Sequence, residues 1–319
     1  MPPPSQRFSL YARLLIAAAG VCLLQPIAHS QDRFPDGTGG GKETLAANAP
    51  GRPRTDKSQY SLFHPTPRDL LRPFNSSRPD QTTGAHSVDA GHYYLETGVA
   101  YSLDLGITRT DTWDYFQSTH LRVGLLDNVE LELVWGGLDN TRTRTRQSSS
   151  HARTDSTIDG STDLTVRTRL VLVGNESKKF SFSLNPEVIV PVTSHHVDSE
   201  YVQGDVIIAT SFELPAGFST TINVQPGIFR NANDTDYEFA LVSGITLYHD
   251  LLRKKDRVQG YLEYYDTLVT GPGSTDAQQV DVGVRWRPLE NLQFDAGCNF
   301  GVSVDAADYQ PFVGLVTRF

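Results

Sequence analysis

A chain of 319 residues carries 37 acidic and 28 basic side chains, for a formal charge of −9. An acidic chain with scattered lysines argues against nucleic acid as a partner. The only two cysteines, Cys22 and Cys298, provide no disulfide framework for a small domain.

The first thirty residues read as an export signal. Arg7 and Arg13 precede the apolar run from Leu14 to Leu24, and Ala28-His29-Ser30 puts small residues at −3 and −1 of a cut after Ser30. This is the three-part pattern of a secretory signal peptide. The run is too short to span a bilayer as a helix. A lipid anchor at Cys22 is disfavoured, because Val21 stands where a small residue is needed. Cleavage removes two arginines and no acids, moving the charge to −11, and leaves Cys298 without an internal disulfide partner.

Residues 31–90 are rich in proline and glycine: seven of the 18 prolines lie between Pro35 and Pro79, alongside Gly39-Gly-Gly41. Such a stretch buries little and interrupts β-ladders, so it is expected to be a flexible periplasmic segment. Its end, Arg78-Pro79-Asp80-Gln81-Thr82, leads into the folded domain. Gly37 to Lys42 has the glycines of a phosphate loop. However, Glu43 stands where Ser or Thr must hold magnesium and no strand precedes it, which favours a linker.

From Gly91 to Phe319 the pattern changes to alternation of apolar and polar residues, broken at Gly, Asn, Asp and Pro. In chain order the spacing predicts strands at 93–103, 121–125, 129–135, 164–172, 180–190, 206–212, 218–228, 237–247, 262–264, 280–286, 292–302 and 310–319. Twelve is an even number, as single-chain outer-membrane barrels require, and no later run reaches the length of an apolar spanning helix. The expected fold is therefore all-β: a single transmembrane antiparallel β-barrel of about 12 strands over residues 91–319.

The links support this. Those near 126–128, 174–178, 214–217, 250–256 and 288–291 are short, while 139–161 and 193–203 are long; those near 231–235, 270–275 and 305–308 are not. With both chain ends periplasmic, short links fall on that side and long ones outside, as outer-membrane barrels show. A soluble β-sandwich or lipocalin predicts no such bias, and its outer face would be polar. Tyr93, Trp113, Tyr115, Trp135, Tyr237, Tyr264, Trp286 and Phe319 fall near strand ends, where interfacial girdles need aromatics.

The polar face supplies candidate lumen-lining residues. These are Glu96, Glu130, Glu132, Glu187, Glu213, Glu238, Glu263, Asp281 and Asp295 against Arg122, Arg167, Arg169, Arg285 and Arg287. Either the two signs neutralise each other and plug the lumen, or they line a polar path and set its selectivity. Twelve strands about 4.8 Å apart and tilted about 40° give a backbone cylinder roughly 24 Å across, which leaves at most a narrow channel. The last strand, Gln310 to Phe319, has Gly314 five residues before its final aromatic. It resembles the signal read by the barrel-assembly machinery, with Thr317 departing from the second aromatic of that pattern.

Sharper chemical readings find little support. His195-His196 with Asp198 and Glu200 offers metal-ligand types, but a solvated outer loop is the preferred reading, and no metal or cofactor is assigned. Arg142, Arg144 and Arg146 alternate with threonines beyond Trp135. They suit either lipopolysaccharide phosphates or a solvated strand end. An outer-membrane lipid hydrolase needs Ser and His together on the outer face. No Gly-x-Ser-x-Gly occurs, and alternation turns His120 inward with Arg122. No catalytic residue is assigned, and the chain is not expected to be an enzyme.

Five short motifs carry a family resemblance: Arg78 to Thr82, Tyr94-Leu-Glu-Thr-Gly98, Asp163-Leu-Thr-Val-Arg-Thr168, Thr246-Leu-Tyr-His-Asp250, and Gln293-Phe-Asp-Ala-Gly297 through Pro311-Phe-Val-Gly314. Residues 78–319 resemble the MetA-pathway of phenol degradation family of outer-membrane proteins. The resemblance implies a barrel that lets small solutes, hydrophobic or aromatic ones among them, cross the outer membrane of a Gram-negative-type cell. The expected partners are outer-membrane lipid and lipopolysaccharide, the assembly machinery and a small-molecule solute. The alternative is a plugged structural or adhesive surface barrel. The family name implies no demonstrated reaction, and no binding residues carry over.

Overall fold

The computed structural model describes residues 56–105, 108–146, 153–177, 179–192, 200–231, 235–252, 257–272 and 274–319. The expected signal peptide, the glycine run before Lys42, and His195, His196 and Asp198 lie outside the described residues.

Alternating sequence gives strands throughout. These are β1 (Tyr93–Leu105), β2 (Thr108–Leu126), β3 (Val129–Trp135), β4 (Leu138–Arg146), β5 (Arg153–Ser161), β6 (Leu164–Val173) and β7 (Phe180–Val190). They are followed by β8 (Gln203–Glu213), β9 (Phe218–Arg230), β10 (Tyr237–Asp250), β11 (Val258–Val269), β12 (Thr275–Leu289), β13 (Leu292–Gly301) and β14 (Tyr309–Arg318). All neighbours pair antiparallel. β1 pairs with both β2 and β14, so the wall closes on itself, while β5, paired with β4 alone, keeps an edge above the wall. We call the end where β1 starts and β14 finishes the lower rim, and the opposite end the upper rim.

Twelve strands form the closed wall. β3 pairs directly with β6, from Val129↔Leu170 to Trp135↔Leu164. β4 and β5 instead continue upward as a hairpin against the upper half of β2. β3 with β4, and β5 with β6, thus act as single long strands broken at Gly136-Gly137 and Thr162-Asp163. Gly137 makes its break at φ 119°, a conformation that strains any residue with a Cβ. The stretch 139–161, expected as a long link, is therefore mostly a β-hairpin.

β2 is also longer than its expected start at Leu121. Its bulge around Phe116 to Ser118, where Phe116 has φ 59° and Ser118 φ 45°, shifts the register against β1 by two residues. Parity is therefore kept, with Trp113 and Tyr115 above the bulge and Leu121 below it all on the outer face.

The two faces are inverted relative to a soluble protein. Leu95, Leu121, Val282 and Val284 are about two-fifths exposed, whereas Glu96, Glu130, Glu132 and Asp281 are 0 % exposed. A closed barrel that turns aliphatic side chains outward along every strand is built for lipid. Tyr93, Trp286, Phe294 and Phe319 crowd the lower rim, and Trp113, Tyr115, Tyr237 and Tyr309 the upper, at the levels where aromatic belts form. Among the described residues no helix is long and apolar enough to cross a membrane; the strands do the crossing.

The largest correction concerns residues 31–90. The described part of that segment does not extend away from the barrel: Asp56 to Phe319 is one compact unit, and Arg78, Asp80, Thr82, Thr83 and Ser87 are buried inside it. A proline-broken chain cannot join a ladder. It can still be held wherever inward side chains accept its backbone N–H groups.

Candidate functional site

The candidate site is the lumen, occupied through its lower half by residues 76–90. The preceding chain lies on the lower rim. There Leu62 N donates to the Leu125 carbonyl at 2.8 Å, and the Phe74 ring packs 5.0 Å from that of Tyr94. The chain then rises along β1, β13 and β14. The N–H groups of Ser77 and Arg78 both donate to the Glu96 carboxylate at 3.0 Å, and Gln293 Nε2 donates to Ser76 Oγ at 3.0 Å.

Arg78 fills a notch. Gly98 and Gly314 are cross-strand partners, and a Cβ on either would collide with the Arg78 guanidinium. The same guanidinium donates to Asp295 at 3.3 Å and lies over the Phe312 ring.

At its highest point the segment crosses to β9–β12. Gln81 N and Thr82 N donate to Glu263 at 2.9 and 2.8 Å, and Gln81 Nε2 donates to Asp281 at 2.8 Å. The Asp80 carboxylate is held by the Arg285 guanidinium and the Tyr248 hydroxyl. Asn223 closes a two-way pair with Thr83, accepting from its N–H and donating to its carbonyl at 2.9 Å. The chain descends past Ala85, which donates to Ser211, and past His86, whose carbonyl accepts from Arg169 at 3.0 Å. Val88 N donates to Glu130 at 2.6 Å, and β1 then begins. Burial keeps the His86 imidazole below its ordinary pKa, and its Nε2 lies 3.0 Å from the Ser177 carbonyl.

Beneath the segment the wall carries a chain of alternating charges. Arg122 bonds Glu96 at 3.0 Å and Glu130 at 2.7 Å, and Arg169 lies 3.1 Å from Glu130 and 3.4 Å from Glu132. Arg167 continues to Glu132 at 3.2 Å and Glu187 at 2.5 Å. Above the segment the wall is polar: Gln310 donates to Ser102 at 2.7 Å and accepts from Asn299 at 2.9 Å.

The structure places the sequence-derived candidates as follows. Glu96, Arg122, Glu130, Glu132, Arg169, Glu187, Glu263, Asp281 and Asp295 are buried on the inner face, with Arg167 and Arg285 nearly so. Arg287 is half-buried at the lower rim, where it donates to the Phe74 carbonyl at 3.3 Å. Glu213 is exposed at the lower end of β8, and Glu238 sits beside Gly271 at the upper end of β10. Phe319 is exposed and pairs its backbone with Tyr93, while Gly314 supports the Arg78 notch. Sequence reasoning missed Arg78, Asp80, Thr82, Thr83, His86 and Asn223. The only signal was the motif Arg78 to Thr82, which has no periodicity.

His86, His92 and His120 are committed to structural contacts. His120 Nδ1 lies 2.5 Å from Glu132 in the lumen, and His92 bridges the carbonyls of Thr66 and Phe319. His86 Nδ1 lies 3.5 Å from Ser181 Oγ, but Ser181 is fully buried under the segment. Among the described residues no cluster of three or more His, Cys, Asp or Glu is arranged to hold a metal ion.

Apolar outer wall, charged inner wall and closed register together define a twelve-stranded membrane β-barrel. The chain belongs to the family described as "Putative MetA-pathway of phenol degradation", whose model matches residues 76–319 and so takes in the inserted segment. No curated protein matches the chain. Among solved structures it is similar to an outer membrane channel from Pseudomonas putida F1, at 11 % identity and TM-score 0.49, covering 72 % of this chain and 94 % of that one. It is also similar to the NanC porin, at 7 % identity and TM-score 0.43, covering 70 % of this chain and 98 % of that one.

Proposed function

We propose that this protein is an outer-membrane barrel for passive passage of small solutes, gated by its own residues 76–90. The observation that carries this is how the segment is held. It contributes no strand to the wall and is fixed by polar contacts that water could replace. Each hydrogen bond to a buried charged group contributes about 1.5–3 kcal/mol net and water can take its place, so the segment can shift while the wall stays closed. The finer reading is an aromatic or phenolic solute. Tyr248, Tyr261 and Phe312 cluster on the inner face beside the segment, and the buried Tyr261 hydroxyl has no hydrogen-bond partner. A phenol would offer that patch both a ring and a hydroxyl. The family's description, which refers to phenol degradation, favours the same class.

A second reading, a permanently plugged structural barrel, draws on the continuous ion-pair chain through Arg122, Arg169 and Arg167. Planar-bilayer conductance and liposome permeation by phenol separate the two. Wild-type protein should show rare discrete openings, and D80N/T82V, which loosens the top of the segment, should open more often and pass phenol faster. Silence from both folded proteins would leave the structural reading.

A further inference from the structure

An arginine-rich patch stands on the outer face of the wall, just above its upper aromatic belt. Tyr101 and Trp113 pack with ring centroids 4.7 Å apart, and Trp113 stacks on Tyr115. On the same face of β2, Asp111 and Arg109 follow Trp113 upward, and register puts Arg142 beside Asp111 and Arg144 beside Arg109. Four residues of strand rise about 13 Å, or about 10 Å along the membrane normal at a tilt of about 40°. That carries Arg109 and Arg144 from the belt into the headgroup layer.

Two like charges directly opposite in a ladder destabilise it unless an anion lies between them. Here Asp111 does part of that work: Arg109 Nη2 lies 2.8 Å and Arg144 Nη1 3.7 Å from its carboxylate, and the Tyr101 hydroxyl donates to it at 2.6 Å. Asp111 is itself buried, while the Arg109 and Arg144 side chains remain 45 % and 43 % exposed. Arg109 turns its Nε–Nη2 edge to Asp111, and both guanidinium groups stay partly exposed around that fixed base, where their remaining N–H groups can bond a phosphate. Register puts Asp155 and Asp159 in the same row on β5, opposite Arg144 and Asn140. The exposed side chain of Leu105, opposite Arg109, adds an apolar flank.

We infer that Arg109, Arg142 and Arg144 form a binding site for the phosphates of lipopolysaccharide, fixed to the wall by Asp111. The site rests on the outer-membrane placement proposed above and is independent of any solute pathway. The β4–β5 hairpin then has a job: it lifts Arg142 and Arg144 to headgroup level, which a wall cut at Trp135 could not do.

The test is native mass spectrometry of the full-length, detergent-folded protein incubated separately with lipopolysaccharide, with dephosphorylated lipopolysaccharide and with phosphatidylglycerol. Lipopolysaccharide should be retained at one copy per barrel, and the other two lipids about tenfold more weakly. R109A/R144A should bind lipopolysaccharide about tenfold less tightly, while bilayer conductance stays at the wild-type level. Equal retention of dephosphorylated lipopolysaccharide or of phosphatidylglycerol by wild type overturns the site, whatever the variant does. So does unchanged affinity in an R109A/R144A protein that keeps its heat-dependent gel shift. Loss of solute passage with lipopolysaccharide binding intact would sink the channel reading alone.

Discussion

Gly314 and Arg122 show how much hangs on single inward positions. A side chain at Gly314 must push Arg78 out of its notch, so Gly314→Val should leave a closed barrel whose segment 76–90 exchanges backbone amides faster; unchanged protection there would refute the notch. Arg122 joins Glu96 to Glu130, and both are fully buried. Arg122→Ala would strand two carboxylates and should cost about 3–5 kcal/mol, read from urea unfolding in micelles. His86 supplies a pH dependence. Burial holds its imidazole below the free value of 6.5, and neighbouring Arg72 and Arg169 push it the same way, against the hydrogen bond to the Ser177 carbonyl and the charge of Glu176. Its neutral form is the one compatible with insertion. That contribution is therefore complete above about 6.5 and is lost as the pH falls from there towards the folded value. Openings should become more frequent on acidification, and H86Q should blunt the change. At this scale the sequence was half legible. Parity alone turned Glu96, Arg122 and Glu263 inward, but no pattern in the sequence says that Ser77, Thr82 and Val88 N–H find their acceptors in Glu96, Glu263 and Glu130 on three different strands.

Elements follow their local signals where those are regular. All twelve wall strands were readable because period-two alternation persists through them. β2 was truncated in the reading because its bulge at Phe116 to Ser118 interrupts the ladder and the outward row above Trp113 is Asp111 and Arg109, and the β4–β5 hairpin was taken for a link because its alternating threonines and arginines lack an apolar face. The segment before β1 was misassigned for a clear physical reason. Proline content excludes a ladder, and the absence of a ladder was read as the absence of structure. Since β3 and β6 pair directly, the hairpin is dispensable for closure. Replacing residues 141–158 by a short Gly-Asn turn should preserve the heat-dependent gel shift and the conductance; loss of folded barrel would contradict the division of the wall made here.

For the whole molecule, the inversion of faces decides the environment. Aliphatic side chains outside and ion pairs inside are stable together only if lipid covers one and water or protein fills the other. The terminal strand matters to this closure, because β14 seals β1 and Phe319 extends the pairing to Tyr93. Phe319→Lys should lower the yield of inserted barrel several-fold in membrane fractions while leaving total synthesis unchanged.

Both ends of the inserted segment lie at the lower rim, with Phe74 against Tyr94 before it and Asp89 beside Gly124 after it. It is therefore a loop dipped into the barrel and not a chain threaded through it. No knot has to form, so the wall can finish closing before the loop enters. A loop driven out stays tied a few residues from the pore mouth, where its effective concentration is of millimolar order. Re-entry is then a first-order event, independent of protein concentration, and the stopper is never lost to the surroundings.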